Sequence, residues 1–140
     1  MVVTVPASVL VIENHPMLRA ALCNAILEEA DLTVAEQAVK GEGTAQIVIS
    51  IKPDLFLLAH KPDVILLALG NSTSEDVEAL SSLQKALPGT PILALTSNEV
   101  PGQEQAALEA GACVVLTKAA SRAELICKLR ELGAKTSENH

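Results

Sequence analysis

Short, almost continuously apolar runs recur along this chain and limit its fold more than any other feature. A strand inside a parallel sheet needs such a run, because both of its faces are covered. Segments with helical spacing separate the runs, and this alternation predicts an α/β fold: a flavodoxin-like, doubly wound parallel sheet of order 2-1-3-4-5 with helices on both faces. The predicted strands cover residues 8–12, 33–39, 63–69, 91–95 and 113–117.

Helix signals lie between these strands. Pro16 begins a helix that runs to about residue 29, with Asn14 or His15 as its cap. A further helix covers 103–110 and ends at Gly111. Two other helices begin at pairs with capping-box spacing, which are Thr73 with Asp76 and Ser121 with Glu124. We expect one domain over residues 1–133, followed by a polar tail or linker over 134–140.

A near-repeat at an offset of nine residues leaves two candidates for the third strand, KPDLFLLAH at 52–60 and KPDVILLAL at 61–69. We place the strand in the second copy, because it leads through Gly70 to a capped helix. The first copy then forms a short helix that begins near Pro53. Residues 45–51 are rich in β-branched side chains, which favours an extra edge strand there, and an ordinary long helix is the alternative.

Charge and composition exclude several classes of function. The formal net charge is −7, and no two of the ten Lys and Arg residues adjoin, so a basic footprint for nucleic acid is missing. Phe56 is the only Phe, Tyr or Trp, which leaves no platform for base stacking. No apolar run reaches the roughly 18 residues of a membrane span, and we expect no signal peptide. Cys23, Cys113 and Cys127 fit no disulfide or metal motif, which predicts buried thiols in a cytoplasmic protein.

Residues at the ends of the predicted strands are the candidates for function, because ligands of doubly wound sheets bind at that edge. Glu13 and Asn14 follow the first strand, Ala68 lies at the end of the third, Thr96 follows the fourth and Lys118 follows the fifth. We therefore expect a carboxylate, a hydroxyl and an ammonium group to converge on one crevice, with a methyl group at its centre.

Several stretches resemble the receiver domain of response regulators in two-component signalling, most closely the NarL/FixJ class. They are VLVIENHPMLRAAL at 9–22, KPDVILLAL at 61–69, PILALTS at 91–97 and EAGACVVLTKAASRAEL at 109–125. The resemblance extends over nearly the whole chain, apart from an insertion in the 40–60 region. It implies the receiver fold and a role in a phosphorelay or a related signalling pathway.

The resemblance also implies a role for each strand-end position. In the family, an acidic pair holds Mg²⁺, an aspartate accepts the phosphoryl group, a hydroxyl and a lysine contact that group, and an aromatic residue switches position. Carried over to this chain, these roles fall on Glu13 with Asn14, on Ala68, on Thr96, on Lys118 and on Val115.

The chain departs from the family pattern where the chemistry is most demanding. Ala68 has no nucleophile, and the other copy of the near-repeat would place Ala59 there instead. Glu13 beside an amide should bind Mg²⁺ weakly at most, so we expect no metal and no cofactor. We expect Glu13 to pair directly with Lys118, and the Thr96 hydroxyl to bond a backbone group. A retained anion or ligand site is the alternative.

The sequence therefore predicts an atypical receiver, a pseudo-receiver that is not an enzyme and is not phosphorylated on aspartate. It would act through protein–protein interaction or dimerisation, with a histidine kinase-like protein, an output domain or a second copy as partner. No direct contact with nucleic acid or membrane is expected. The family's docking face would here include Ala106, Ala107, Val115 and residues 121–132. Two alternatives stay open: a receiver fragment of a LuxR/NarL-type transcriptional regulator, and a small-molecule-sensing pseudo-receiver.

Overall fold

The computed structural model describes residues 7–13, 15–38, 62–69, 73–96 and 102–138. Every strand and helix predicted within these ranges is present, with small shifts at most ends. The strands are β1 (Ala7–Ile12), β2 (Leu32–Ala38), β3 (Val64–Ala68), β4 (Ile92–Thr96) and β5 (Val114–Thr117). The helices are α1 (Pro16–Leu27), α2 (Thr73–Ala86), α3 (Gln103–Ala110) and α4 (Arg122–Glu138).

The five strands pair in parallel in the order β2-β1-β3-β4-β5, which confirms the predicted topology. Ile12 of β1 lies opposite Leu67 of β3, and Ala68 lies opposite Leu95 of β4. Further along the sheet, Thr96 of β4 pairs with Thr117 of β5. This register brings the carboxyl ends of β1, β3, β4 and β5 to one edge of the sheet.

Alternate residues of each strand are buried on opposite faces of the sheet, as the pleat requires. The face that contains Leu66 packs against α1 and α4, with Ile26 and Leu129 in the same cluster. The face that contains Leu67 packs against α2 and α3, with Leu80 fully buried between them. The core therefore has two layers, and each strand-end side chain points toward one helix pair or the other.

Local hydrogen bonds fix the helix ends near the functional edge. The Nδ1 atom of His15 accepts from the backbone N–H of Leu18 at 3.4 Å, so His15 caps α1 directly before Pro16. The Ser121 hydroxyl accepts from the backbone N–H of Glu124 at 3.1 Å, which confirms the predicted cap of α4. Both helices thus begin a few residues after the strands, since α1 starts at Pro16 after Ile12 and α4 starts at Arg122 after Thr117.

Helix α4 continues further than predicted. It passes through Gly133 to Glu138, whereas the sequence predicts a polar tail after residue 133. A Cβ atom on Gly133 would lie 2.8 Å from the Cβ of Ala7, so the missing side chain lets α4 pass close to β1. The domain boundary at residue 133 stays a prediction.

The second copy of the near-repeat forms β3, as predicted, and all five of its strand residues are buried. The first copy at 52–60 and the proposed edge strand at 45–51 lie outside the described residues. None of the helices in the described part of the chain is long and apolar enough to cross a lipid bilayer.

The expectation of three buried thiols is wrong for two of the cysteines. Cys23 is buried in α1, but Cys113 and Cys127 are exposed. Cys113 lies in the turn before β5, and Cys127 lies on the outer side of α4, where its thiol contacts Glu131 one turn later. Composition predicts burial for cysteine in general, and the side of each element decides the individual case.

Candidate functional site

The candidate site is the edge of the sheet where four parallel strands end. Glu13 follows β1, Ala68 is the last residue of β3, Thr96 is the last residue of β4, and Lys118 follows β5. The register of the sheet places Glu13 beside Ala68, since the preceding residues Ile12 and Leu67 pair. The structure therefore brings the backbone positions of these residues together as the sequence predicts. Asn14 lies outside the described residues.

Glu13 is a buried carboxylate with one satisfied oxygen. Its side chain is only 6% exposed, and its Oε1 accepts from the backbone N–H of His15 at 3.0 Å. Its Oε2 is buried, with no hydrogen-bond partner among the described residues. The Arg19 guanidinium donates to the Glu13 backbone carbonyl at 3.0 Å and so holds the strand end against α1. A buried oxygen in this state is electron-rich and poorly solvated, a position suited to a proton donor or a cation.

Ala68 places a methyl group at the centre of the edge. It is 2% exposed and belongs to the core cluster on the side of α1 and α4. The backbone N–H of Leu69 donates to the Leu95 carbonyl at 2.8 Å, so the ladder between β3 and β4 continues past Ala68. The backbone at this position is therefore regular, and the Ala68 side chain offers no oxygen.

Thr96 and Lys118 differ in their exposure to solvent. Thr96 is buried, and its hydroxyl donates to the Leu116 carbonyl at 3.4 Å, in line with the predicted backbone role. The Lys118 side chain is exposed, while its backbone N–H donates to the Thr96 carbonyl at 2.8 Å. The hydroxyl therefore already has a backbone partner, while the lysine is exposed to solvent.

The expected ion pair between Glu13 and Lys118 is wrong. The ion pairs of the described part do not include these two residues, and their burial explains the difference. Lys118 is exposed to solvent, while Glu13 is buried. Pairing would require desolvation of the lysine, which costs several kcal/mol by order of magnitude for a buried ion.

The described donor set does not fit Mg²⁺. That ion prefers a near-octahedral shell of oxygens at about 2.0–2.1 Å, commonly from carboxylates and water. Here Glu13 supplies the carboxylate, and Ala68 supplies a methyl group where a second oxygen ligand would be needed. Across the described ranges, no group of three or more His, Cys, Asp and Glu side chains is placed to hold a metal ion.

Val115, the position that the resemblance assigns to a switch, is half-buried in β5. It packs against the cluster on the side of α2 and α3. Its side chain has no ring to rotate between two positions, and β-branching restricts its χ1 angle. Ala107, expected on a docking face, is instead buried in the same cluster, while Ala106 is half-buried.

A buried polar contact between α2 and α3 was not anticipated from the sequence. Asp76 is 3% exposed and accepts from the Gln103 side-chain amide at 3.1 Å. At the other end of α3, the Gln84 amide donates to the Gly111 carbonyl at 3.0 Å. The sequence predicts Asp76 as part of a capping box, and nothing in one sequence shows that a residue 27 positions away contacts it. The two contacts join α3 to α2 near both of its ends.

Comparison with known proteins places this geometry in a family context. The model of the response regulator receiver domain matches residues 9–130. The chain is 28% identical over 132 residues to a probable transcriptional regulatory protein, TcrX of Mycobacterium tuberculosis, covering 94% of this chain and 51% of TcrX. It is 34% identical over 94 residues to the nitrate/nitrite response regulator NarL of Escherichia coli, covering 66% of this chain and 39% of NarL.

Solved structures share the same architecture. The signal receiver domain of a protein identified as the response regulator NarL of Mycobacterium tuberculosis superimposes with a TM-score of 0.73 at 22% identity, covering 93% of this chain and 98% of that domain. At this identity the likeness concerns the fold alone. The chain spans about half the length of TcrX and less than half of the Escherichia coli regulator.

Proposed function

This chain belongs to the response regulator receiver domain family, and from that premise we propose that it is a pseudo-receiver. It keeps the signalling fold, does not accept a phosphoryl group on aspartate, and transmits its signal by contact with another protein. Receiver domains are signalling domains, and this general role follows from the family. The loss of phosphorylation and the mode of contact are our proposal.

One observation supports the proposal above all others: a buried alanine ends β3. Transfer of a phosphoryl group to a receiver needs a carboxylate nucleophile aligned with the phosphorus, a metal ion that neutralises the oxygens, and a nearby cation. Ala68 cannot attack phosphorus, and Glu13 alone is a poor metal site. Lys118 is still a cation, but without a phosphoryl group at Ala68 there is no negative charge in this site for it to stabilise.

Contact with a protein partner is supported by the face formed by α3, β5 and α4. Leu108 of α3 is 42% exposed, and Val115 of β5 is half-buried on the same side of the sheet as α3. Hydrogen bonds join α3 to α2 near both ends of α3, from the Gln103 amide to Asp76 and from the Gln84 amide to the Gly111 carbonyl. A fixed face of this kind suits constitutive binding, since no phosphorylation is needed to create it. A histidine kinase-like protein, an output domain or a second copy would be the partner.

Beryllofluoride with Mg²⁺ provides the direct test, because it mimics a phosphoryl group only where an aspartate can hold it. We expect amide spectra of the wild-type chain to stay unchanged at millimolar reagent. The matched control is the double variant Asn14→Asp/Ala68→Asp, which restores the acidic pair and the acceptor and should show saturable shifts near Thr96 and Lys118. Saturable shifts at those residues in the wild-type chain would refute the proposal.

A receiver piece of a longer transcriptional regulator is the second candidate. It is favoured by the fact that the chain spans about half of TcrX, which is described as a probable transcriptional regulatory protein. In that case the face of α3, β5 and α4 would contact the protein's own output domain. Reading the native open reading frame beyond residue 140 decides between the two.

The free thiols of all three cysteines are consistent with the cytoplasmic location that the sequence predicts.

A further inference from the structure

We propose that a cleft between α1 and α4 binds a small amphipathic anion, with an apolar body held by the two helices and a carboxylate or phosphate group held at the mouth by Lys118. The inference does not rest on the proposed function. Glu13, Ala68 and Thr96 do not line this cleft, and Lys118 is the one residue that it shares with the described part of the strand-end site.

The size and lining of the cleft suit a small molecule. Its volume is about 340 Å³, within the range of roughly 300–1,000 Å³ typical of ligand sites. The side chains of Leu22, Leu95 and Leu125 form apolar walls, and Ala21 and Ala25 of α1 leave the space between them open. An apolar body of about eight carbons could replace water along these walls, which is favourable because it removes apolar surface from water.

The polar groups of the cleft specify the charge of the ligand. Thr117, Lys118 and Arg122 line it, and no acidic side chain does. Lys118 has no ion pair within the described ranges, while Arg122 pairs at the surface with Glu28. Glu28 already neutralises Arg122, so Lys118 is the cation at the mouth that lacks an anionic partner within the described ranges. An anionic head group would neutralise Lys118, and its apolar tail would fill the cleft.

A second copy of the chain suits the cleft less well. A symmetric dimer uses the same patch on both subunits, so it would bring two sets of these cations into one interface. A small anion brings the opposite charge and needs no flat surrounding surface. The cleft therefore suits a small anion better than a second copy, and the experiment distinguishes the two.

Titration of the isotope-labelled chain with octanoate, octyl phosphate and 1-octanol tests the proposal by amide chemical shifts. Octanoate or octyl phosphate should give saturable shifts at Leu22, Ala25, Ala120 and Leu125, and whichever binds more tightly identifies the head group. The neutral 1-octanol should bind at least about tenfold more weakly, the equivalent of about 1.4 kcal/mol. Equal binding of all three probes, or no saturable shift, would overturn the proposal.

Variants separate the cleft from general surface binding. Ala21→Leu and Ala25→Leu should each reduce octanoate binding by filling the cleft; Ala21 is exposed, so its replacement preserves the core even if Ala25→Leu does not. Lys118→Gln should weaken binding, and Lys85→Gln, an exposed lysine of α2, should leave it unchanged. Unchanged binding in both leucine variants contradicts the proposal. The proposal is also contradicted if the chain forms a concentration-dependent dimer that protects the same amides and that octanoate does not dissociate.

Discussion

At the scale of single residues, burial gives each thiol its chemistry. Burial raises the pKa of the Cys23 thiol, an effect that the positive charge of Arg19 opposes in part. The thiolate is the reactive form, and a buried thiol with a raised pKa is both less ionised and less accessible. Cys113 and Cys127 are exposed and lack this protection.

We expect a thiol reagent at pH 8 to modify Cys113 and Cys127 first and Cys23 at least about tenfold more slowly, because access and ionisation both disfavour Cys23. Mass spectrometry of partially labelled peptides measures the three rates. In denaturing urea the three rates should become similar, which serves as the control. Rapid labelling of Cys23 in the folded chain would contradict the structure.

At the scale of elements, close backbone approach and buried polar contacts hold the helices in place. Gly133 allows α4 to pass against Ala7 of β1, where a Cβ would come within 2.8 Å. Near the other end of the sheet, the Asp76–Gln103 contact joins α2 to α3 inside the protein. Both features act between elements that are distant in sequence, and each makes a specific prediction.

Gly133→Ala should lower the free energy of unfolding by about 1–3 kcal/mol through overpacking. Helix propensity alone predicts the opposite sign, since alanine is favoured over glycine by about 1 kcal/mol in a helix interior. Urea denaturation measures the change. In an Ala7→Gly background the same substitution should lose most of its penalty, because the opposing methyl group is gone. A stabilised Gly133→Ala variant would show that α4 does not approach β1 this closely.

Gln103→Met should destabilise α3 by about 1–3 kcal/mol, because it removes a donor from a buried carboxylate. Gln105→Met is the matched control, since Gln105 is exposed on the same helix and its amide donates to the Glu109 carboxylate at the surface. Hydrogen exchange of the α3 amides measures the local effect. Equal exchange rates in both variants would contradict a structural role for the buried contact.

At the scale of the whole molecule, ion pairs connect the last helix to the loop between α1 and β2. Arg130 of α4 contacts Glu29 and Asp31, and Arg122 contacts Glu28. The hydrogen bond from Arg130 lowers the pKa of Asp31, and Asp31 in turn raises the pKa of Arg130. These contacts join parts of the chain about 100 residues apart in sequence, but they are exposed and screened by salt.

Arg130→Gln should lower the urea midpoint at pH 7, and the difference from wild type should shrink as pH falls. The folded pKa of Asp31 is depressed, so its contribution to stability is present above its unfolded value of about 3.9 and is lost as pH falls through the lower folded value. Salt at about 1 M should reduce the difference at pH 7. Lys85→Gln is the control, and a pH-independent difference for Arg130→Gln would contradict the assigned ion pairs.

The sequence by itself determined the secondary structure, the order of the sheet and which residues stand at the strand ends. Hydrophobic runs, caps such as Ser121 and stops such as Gly111 act over a few residues, so they can be recognised locally. The presence of Ala68 at the end of β3 follows from the same pattern, as does the choice of the second repeat copy. These features need no knowledge of distant contacts.

Only the tertiary structure decided where the side chains at those positions go. Lys118 is exposed instead of paired with Glu13, Asp76 of α2 contacts Gln103 of α3, and Ala21 and Ala25 line a cleft beside α4. Each outcome depends on the balance between desolvation and contact with residues far along the chain. That balance depends on how the helices pack on the sheet, so it cannot be predicted from a local sequence pattern.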